Sequence, residues 1–92
     1  MSPHLYDAIV VSPRALVREL LAALLRARGV ERVVVCGSTP ESLALAKSAP
    51  TLLCDASHLS SVDFASFQAR VEQLHPKLRV IRVLMRCVRR CR

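Results

Sequence analysis

Glycine and aromatic residues are scarce in this sequence. The first shortage excludes several binding motifs, and the second limits the composition of the core. The two glycines are Gly29 and Gly37. A dinucleotide fingerprint or a phosphate-binding loop needs several closely spaced glycines, so both motifs are excluded. Ser12 follows a predicted strand, but no Gly-x-Ser-x-Gly element surrounds it, so a hydrolase built on a nucleophile elbow is rejected as well. Aromatic residues make up 3% of the chain, so we expect an aliphatic core.

Long hydrophobic runs are also missing. No stretch approaches the about 20 apolar residues that are needed to cross a bilayer. The first residues, Met1 to His4, contain neither the basic region nor the apolar region of a secretory signal. We therefore expect a cytoplasmic protein without a membrane partner, whose cysteines are free thiols. The four cysteines are Cys36, Cys54, Cys87 and Cys91.

The positive charge is concentrated at the end of the chain. The net charge is +7, but basic and acidic residues balance up to Pro76. The excess consists of Lys77, Arg79, Arg82, Arg86, Arg89, Arg90 and Arg92. A basic segment attracts nucleic acid or anionic surfaces, which makes the last four arginines candidate nucleic-acid contacts. Because no aromatic residues are interleaved with them and no reading module is recognisable, nucleic acid is not the partner we expect.

Short apolar runs alternate with helical patterns along one domain-sized chain. Ser12-Pro13 predicts a helix N-cap followed by proline at the first helical position, and Gly29 predicts the end of that helix. The predicted strands are 7–11, 32–36, 51–54 and 78–84, and the predicted helices lie between them. This alternation predicts an α/β fold in three layers, with helices on both faces of a parallel sheet of about four strands.

The stretch Thr51–Ser57 dominates the question of function. A short apolar run ends in Asp55, and the chain then becomes polar. Such a pattern indicates a buried strand that delivers one carboxylate to the rim of the sheet. Asp55 is therefore the candidate functional residue. The alternative is a strand-end carboxylate that only caps loop amides or lies in solvent.

Several segments between about Asp7 and Leu84 together resemble a response-regulator receiver domain, closest to the receivers that precede a helix-turn-helix output domain. Residues 10–21 resemble the first strand and helix, 36–43 the second strand and helix start, 50–55 the strand that ends in the phosphoacceptor aspartate, and 74–81 the link into the fourth strand. The resemblance implies a partial flavodoxin-like fold with strand order 2-1-3-4. It also implies that Asp55 is the candidate phosphoacceptor, with a histidine kinase as donor.

The departures from the receiver pattern concern the chemistry. The family's acidic pair after the first strand, which helps to hold magnesium, corresponds here to Ser12 and Pro13. Since magnesium favours carboxylate oxygens, Asp55 alone would bind it weakly, and we predict no metal site. The family's switch hydroxyl falls near Leu84 or Met85, which have none. Its fifth strand, lysine and last helix would lie beyond Arg92.

We therefore predict an incomplete receiver-like domain over residues 1–84 and a basic Arg/Cys tail over residues 85–92. The expected function is that of a degenerate two-component signalling module that is not an enzyme, is not phosphorylated, and acts through protein contacts. A protein partner or a second copy is expected at the exposed edge of the fourth strand. Three alternatives stay open: a receiver that is phosphorylated on Asp55 and regulates transcription, a non-specific nucleic-acid binder, and a non-functional gene fragment.

Overall fold

Strands and helices alternate along residues 4–84, which are the residues that the computed structural model describes. The elements are β1 (Ala8–Val11), α1 (Ala15–Ala27), β2 (Val33–Cys36), α2 (Thr39–Leu45), β3 (Thr51–Asp55), α3 (Ser61–Leu74) and β4 (Arg79–Val83). Short 3-10 turns at Ala46–Ser48 and Ala56–His58 follow α2 and β3. The predicted alternation of strands and helices is confirmed, and the fourth strand is one residue shorter at each end than predicted.

The four strands form one parallel sheet in the order β2-β1-β3-β4. This order confirms the prediction and equals the first four strands of the flavodoxin-like arrangement. Val11 of β1 pairs with Cys36 of β2 on one side and with Cys54 of β3 on the other. The carboxyl ends of these strands therefore meet at one edge of the sheet. The strand order reverses between β1 and β3, which is where folds of this type bind ligands.

Helices cover both faces of the sheet, as predicted. On one face, Val17 and Leu21 of α1 pack against Val10 of β1. On the other face, α3 contributes Phe64, Phe67 and Val71 to the larger core, and α2 packs partly buried leucines against it. All four residues of β1 are buried, because this strand lies between two others and under helices on both sides. β1 is thus the centre of the fold.

The start of α1 differs from the prediction. The helix begins at Ala15 after Arg14 as N-cap, and the Arg14 side chain makes no capping hydrogen bond. Ser12 does not cap the helix; its Oγ instead accepts a hydrogen bond from the Arg14 N–H at 3.1 Å, within the turn that precedes the helix. The end of α1 agrees with the prediction, because Gly29 has a φ of 95°, a left-handed conformation that glycine adopts at low cost.

The sheet covers only part of the apolar side of α1, and the rest of that side is exposed. Val17 and Leu21 are buried, whereas Leu16, Leu20 and Leu24 are 85%, 48% and 50% exposed. These three leucines lie four residues apart on one side of the helix, and we call them the α1 stripe. Their periodicity predicts a helix correctly, but they do not belong to the core.

The other two helices begin with serine caps. The Ser38 hydroxyl accepts from the Glu41 N–H at the start of α2, and the Ser60 hydroxyl accepts from the Asp63 N–H at 3.0 Å at the start of α3. Serine is favoured at this position because its hydroxyl satisfies an N–H group that the first helical turn leaves unpaired. Within the described part of the chain, no helix combines the length and the apolar character that a membrane span requires.

Candidate functional site

Asp55 lies at the carboxyl end of β3, and its side chain is fully buried. The strand reaches this position through Leu52 and Cys54, which are buried in the larger core. Immediately after the strand, the chain turns, and the Ser57 N–H donates a hydrogen bond of 3.0 Å to Asp55 Oδ1. One carboxylate oxygen is therefore occupied by the loop that follows the strand, as the capping alternative foresaw.

The second oxygen of Asp55 is occupied by residues that follow β1. Ser12 Oγ donates to Asp55 Oδ2 at 2.7 Å, and Arg14 Nη2 lies 3.4 Å from the same oxygen. The Arg14 side chain is 43% exposed, so the ion pair joins a buried anion to a cation at the surface. Arg18 Nη1 donates to the Ser12 carbonyl oxygen at 2.8 Å and thereby fastens the turn. We call Ser12, Arg14, Asp55 and Ser57 the Asp55 cluster.

The Asp55 cluster keeps the carboxyl group ionised. Burial disfavours the charged form, but hydrogen bonds from Ser57, Ser12 and Arg14 outweigh this cost and hold the pKa of Asp55 below its ordinary value of 3.8. A hydrogen bond to the charged form always acts in this direction. At neutral pH the cluster therefore contains one carboxylate whose charge is balanced by one guanidinium group of the same chain.

Ser12 and Pro13, the positions that the receiver resemblance aligns with an acidic pair, both directly follow β1 near Asp55. Ser12 is completely buried and contacts the carboxylate, whereas Pro13 is exposed. Pro13 and Asp55 both line a cavity of about 210 Å³ at the crevice between β1 and β3. Most of the remaining lining is apolar or backbone; it consists of Val11, Gly37, Ser38, Thr39, Cys54 and Leu59. The structure thus brings the predicted positions together, but only Asp55 carries a carboxylate.

The donor set beside Asp55 does not fit a magnesium ion. Magnesium takes near-octahedral oxygen ligands, usually with one or two carboxylates and several waters. Here the Ser12 hydroxyl proton is used on Asp55 Oδ2, and the Arg14 guanidinium already lies against the same oxygen. Among residues 4–84, no three His, Cys, Asp or Glu side chains come together as a metal-binding group. A guanidinium occupies the place at the carboxylate that a divalent cation would need.

Sequence reasoning missed the partners that define this site. Arg14 and Arg18 are visible in the sequence as basic residues outside the apolar side of α1. Their spacing of four residues places them on one side of the first helical turns, next to the carboxyl edge of the sheet. The spacing of Arg14 and Arg18 could have indicated that both face the carboxyl edge of the sheet. The same spacing is equally typical of two arginines on a solvent-exposed side of a helix. Ser57 had no signal beyond its place two residues after the aspartate.

Two buried cysteines, Cys36 and Cys54, lie near the site, and their thiols are protonated and unreactive. Burial raises the pKa of Cys36 and of Cys54 to about 11, so both are neutral thiols at physiological pH. They flank Val11 on opposite sides, which separates their Cα atoms by about two strand spacings, roughly 9.6 Å. A disulfide needs a separation below about 7 Å. The prediction of free thiols is confirmed for these two cysteines, which are buried in the larger core.

The predicted basic tail over residues 85–92 lies outside the described residues. The candidate nucleic-acid contacts Arg86, Arg89, Arg90 and Arg92 lie outside the described residues, as do Cys87 and Cys91. No family model matches the sequence, no curated protein matches it, and no solved structure matches the fold.

Proposed function

We propose that this chain is a receiver-like signalling module of the two-component type that acts through protein contacts and is not phosphorylated. The observation that carries the proposal is the Asp55 cluster, in which both carboxylate oxygens accept hydrogen bonds from the chain itself. The strand order and the position of the aspartate at the end of β3 support the receiver-like part. The replacement of the expected acids by Ser12 and Pro13 supports the loss of phosphotransfer.

Phosphorylation of Asp55 would require its carboxylate to meet a donor in line, with cations that neutralise the developing charge. The Asp55 side chain has no exposed surface. Oδ2 already accepts hydrogen bonds from Ser12 and Arg14, and Oδ1 accepts one from the Ser57 N–H, so either oxygen would attack with part of its electron density engaged. Arg14 supplies one positive charge, but it stabilises the ground-state carboxylate and therefore makes that carboxylate a poorer nucleophile. The cluster favours a structural role for the acid.

Protein contact is supported by the apolar surface on the α1 side of the sheet. The exposed α1 stripe lies on this side, together with Ile81, which is 37% exposed. Leu53 and Val83 are partly buried and pack against the smaller core on the same face. A contiguous apolar surface of this kind is typical of interaction sites in soluble proteins. We call Leu53, Ile81, Val83 and the α1 stripe together the α1–β4 surface.

Treatment with acetyl phosphate and magnesium is expected to leave the protein without a covalent adduct. The reason is that the Asp55 side chain is buried and both of its oxygens already accept hydrogen bonds. Intact-mass spectrometry measures the result, with a phosphorylatable receiver treated in parallel as the positive control. An adduct that disappears in the Asp55→Asn variant would overturn the proposal in favour of a working phosphoacceptor. An adduct that persists in that variant lies elsewhere and leaves the proposal intact.

A further inference from the structure

The pairing of β4 with β3 determines which backbone N–H and C=O groups of β4 point outward, away from the sheet. In the described part of the chain, β4 pairs with β3 alone. The Arg79 N–H donates to the Pro50 carbonyl oxygen at 3.0 Å, so Arg79 directs its backbone groups towards β3. Because this direction alternates along a strand, Ile81 and Val83 do the same. Val80 and Arg82 direct their N–H and C=O groups outward, away from the sheet.

The side chains of β4 divide between the two faces of the sheet. Val83 packs against the smaller core under α1, and Arg79 and Ile81 share its face because side chains alternate along a strand. Val80 packs against the larger core, and Arg82 shares that face, where its guanidinium lies 5.0 Å from the centre of the Phe64 ring. Arg82 is thus held over its own core by a cation–π contact, which draws its charge away from the strand edge.

We propose that two copies of this chain pair through β4 in antiparallel orientation, with Ile81 opposite Ile81 of the second copy. This inference rests on the proposed interaction function and names its partner. Ile81 is the middle residue of the five in β4, so this register pairs the whole strand. It places Arg79 opposite Val83, and Val80 opposite Arg82. No arginine then stands directly opposite another arginine.

The backbone groups fit the same register. In an antiparallel ladder, opposed residues alternate between pairs that exchange both hydrogen bonds and pairs that exchange none. The outward groups of Val80 and Arg82 meet those of Arg82 and Val80 in the second copy, which gives two hydrogen-bonded pairs. The Ile81 pair between them is a non-hydrogen-bonded pair, with side chains in close contact. Every outward backbone group of β4 is satisfied.

Neighbouring symmetric registers fit less well. A ladder centred on Arg82 would oppose two arginines directly, and like charges in that position are destabilising. A ladder centred on Val80 would leave Val83 outside the pairing and bring Leu78 into it, although Leu78 precedes the strand. The charge pattern and the strand limits therefore select Ile81 as the position of the two-fold axis.

The apolar surface beside β4 also favours a second copy. Leu53 pairs with Ile81 in the sheet and forms, with α1, a cavity of about 270 Å³ lined by Leu21, Leu24, Leu25, Arg28 and Leu53. In the proposed dimer the two α1–β4 surfaces become adjacent at the two-fold axis, and the Ile81 side chains cover each other there. A single continuous sheet of eight strands results, and the open β4 edge disappears.

An Ile81→Cys variant tests the register. In a non-hydrogen-bonded pair the Cα atoms are about 4.5 Å apart, within the range of a disulfide. The variant is made with Cys87 and Cys91 replaced by serine; Cys36 and Cys54 are buried and stay. We expect a disulfide-linked dimer on mild oxidation, with a yield about tenfold above that of Val62→Cys. Val62 is 72% exposed on α3 and provides the matched control.

The association itself is measured by sedimentation equilibrium of the full chain. We expect a reversible dimer whose dissociation constant rises at least about tenfold in Ile81→Arg, which opposes two charges at the axis, but not in Val62→Arg. A monomer at all accessible concentrations, or equal cross-linking of the two cysteine variants, overturns the inference. Those results leave the intact-mass result on Asp55 unchanged, so a failed dimer is distinguishable from a failed proposal of function.

Discussion

Replacement of Asp55 by alanine is expected to lower the free energy of unfolding by about 3 kcal/mol, because hydrogen bonds to a charged group are worth about 1.5–3 kcal/mol and their buried partners would be left unpaired. The buried Ser12 hydroxyl loses its acceptor at 2.7 Å, and the Ser57 N–H loses its acceptor at 3.0 Å. Arg14 loses its anion but remains partly in water, which limits its share. Urea unfolding at neutral pH measures the loss.

Asparagine at the same position is the matched control. Asp55→Asn keeps the shape and one acceptor oxygen, so we expect a loss of about 1 kcal/mol. A double-mutant cycle with Ser12→Ala separates the contact between the two side chains from the other effects, and we expect a coupling of about 1 kcal/mol or more. An alanine variant within about 0.5 kcal/mol of the wild type would contradict a structural role for the carboxylate.

The second large effect is expected for Ser12→Asp, which introduces an acid where the receiver pattern that this chain resembles has one. The new carboxylate would replace the hydroxyl that now donates to Asp55, so two buried like charges would share a single guanidinium. We expect a loss of about 3 kcal/mol in magnesium-free buffer, since an uncompensated buried charge costs about 3–5 kcal/mol. Magnesium should recover much of this loss, because two adjacent carboxylates give it the hard ligands that it prefers.

Thermal unfolding with and without magnesium compares this variant with Ser12→Asn. The asparagine is nearly isosteric with aspartate but adds no charge, so magnesium should not change its melting temperature. The wild type should also show no response, because Ser12 and Arg14 already occupy Asp55 Oδ2. Equal stability of the two variants, or a magnesium response in the wild type, would contradict an Asp55 carboxylate that Ser12 and Arg14 already hold.

Local patterns in the sequence were sufficient to predict the framework of the fold. Short apolar runs, two of which include arginines, predicted the strands, and the change from β-branched runs to helical spacing predicted the helices between them. The position of Asp55 followed from the same reasoning, because an apolar strand that ends in an acid must deliver it to the edge of the sheet. The strand order came from the family resemblance and is confirmed.

Local patterns could not reveal the partners of Asp55. Ser12 before Pro13 is a good helix cap by local rules, but its hydroxyl donates to an aspartate that lies 43 residues away in the sequence. The Ser12 hydroxyl contacts the buried Asp55 carboxylate instead of capping α1. This contact exists only once β1 and β3 lie side by side in the sheet, so local sequence patterns do not reveal it. The width of the α1 stripe is a similar case, since periodicity identifies the apolar residues but not the area that the sheet covers.

The most direct test of the structural role of Asp55 is the pH titration of its carboxyl group, followed by carbon NMR. Because the folded pKa lies below the ordinary value of 3.8, the unfolded state binds a proton before the folded state does. The contribution of Asp55 to stability is thus complete well above pH 3.8 and is lost as the pH falls through the folded pKa. We predict a titration midpoint below 3.8 that magnesium does not move. A midpoint above 3.8, or one that shifts with magnesium, would contradict a carboxylate held by Ser12, Arg14 and Ser57.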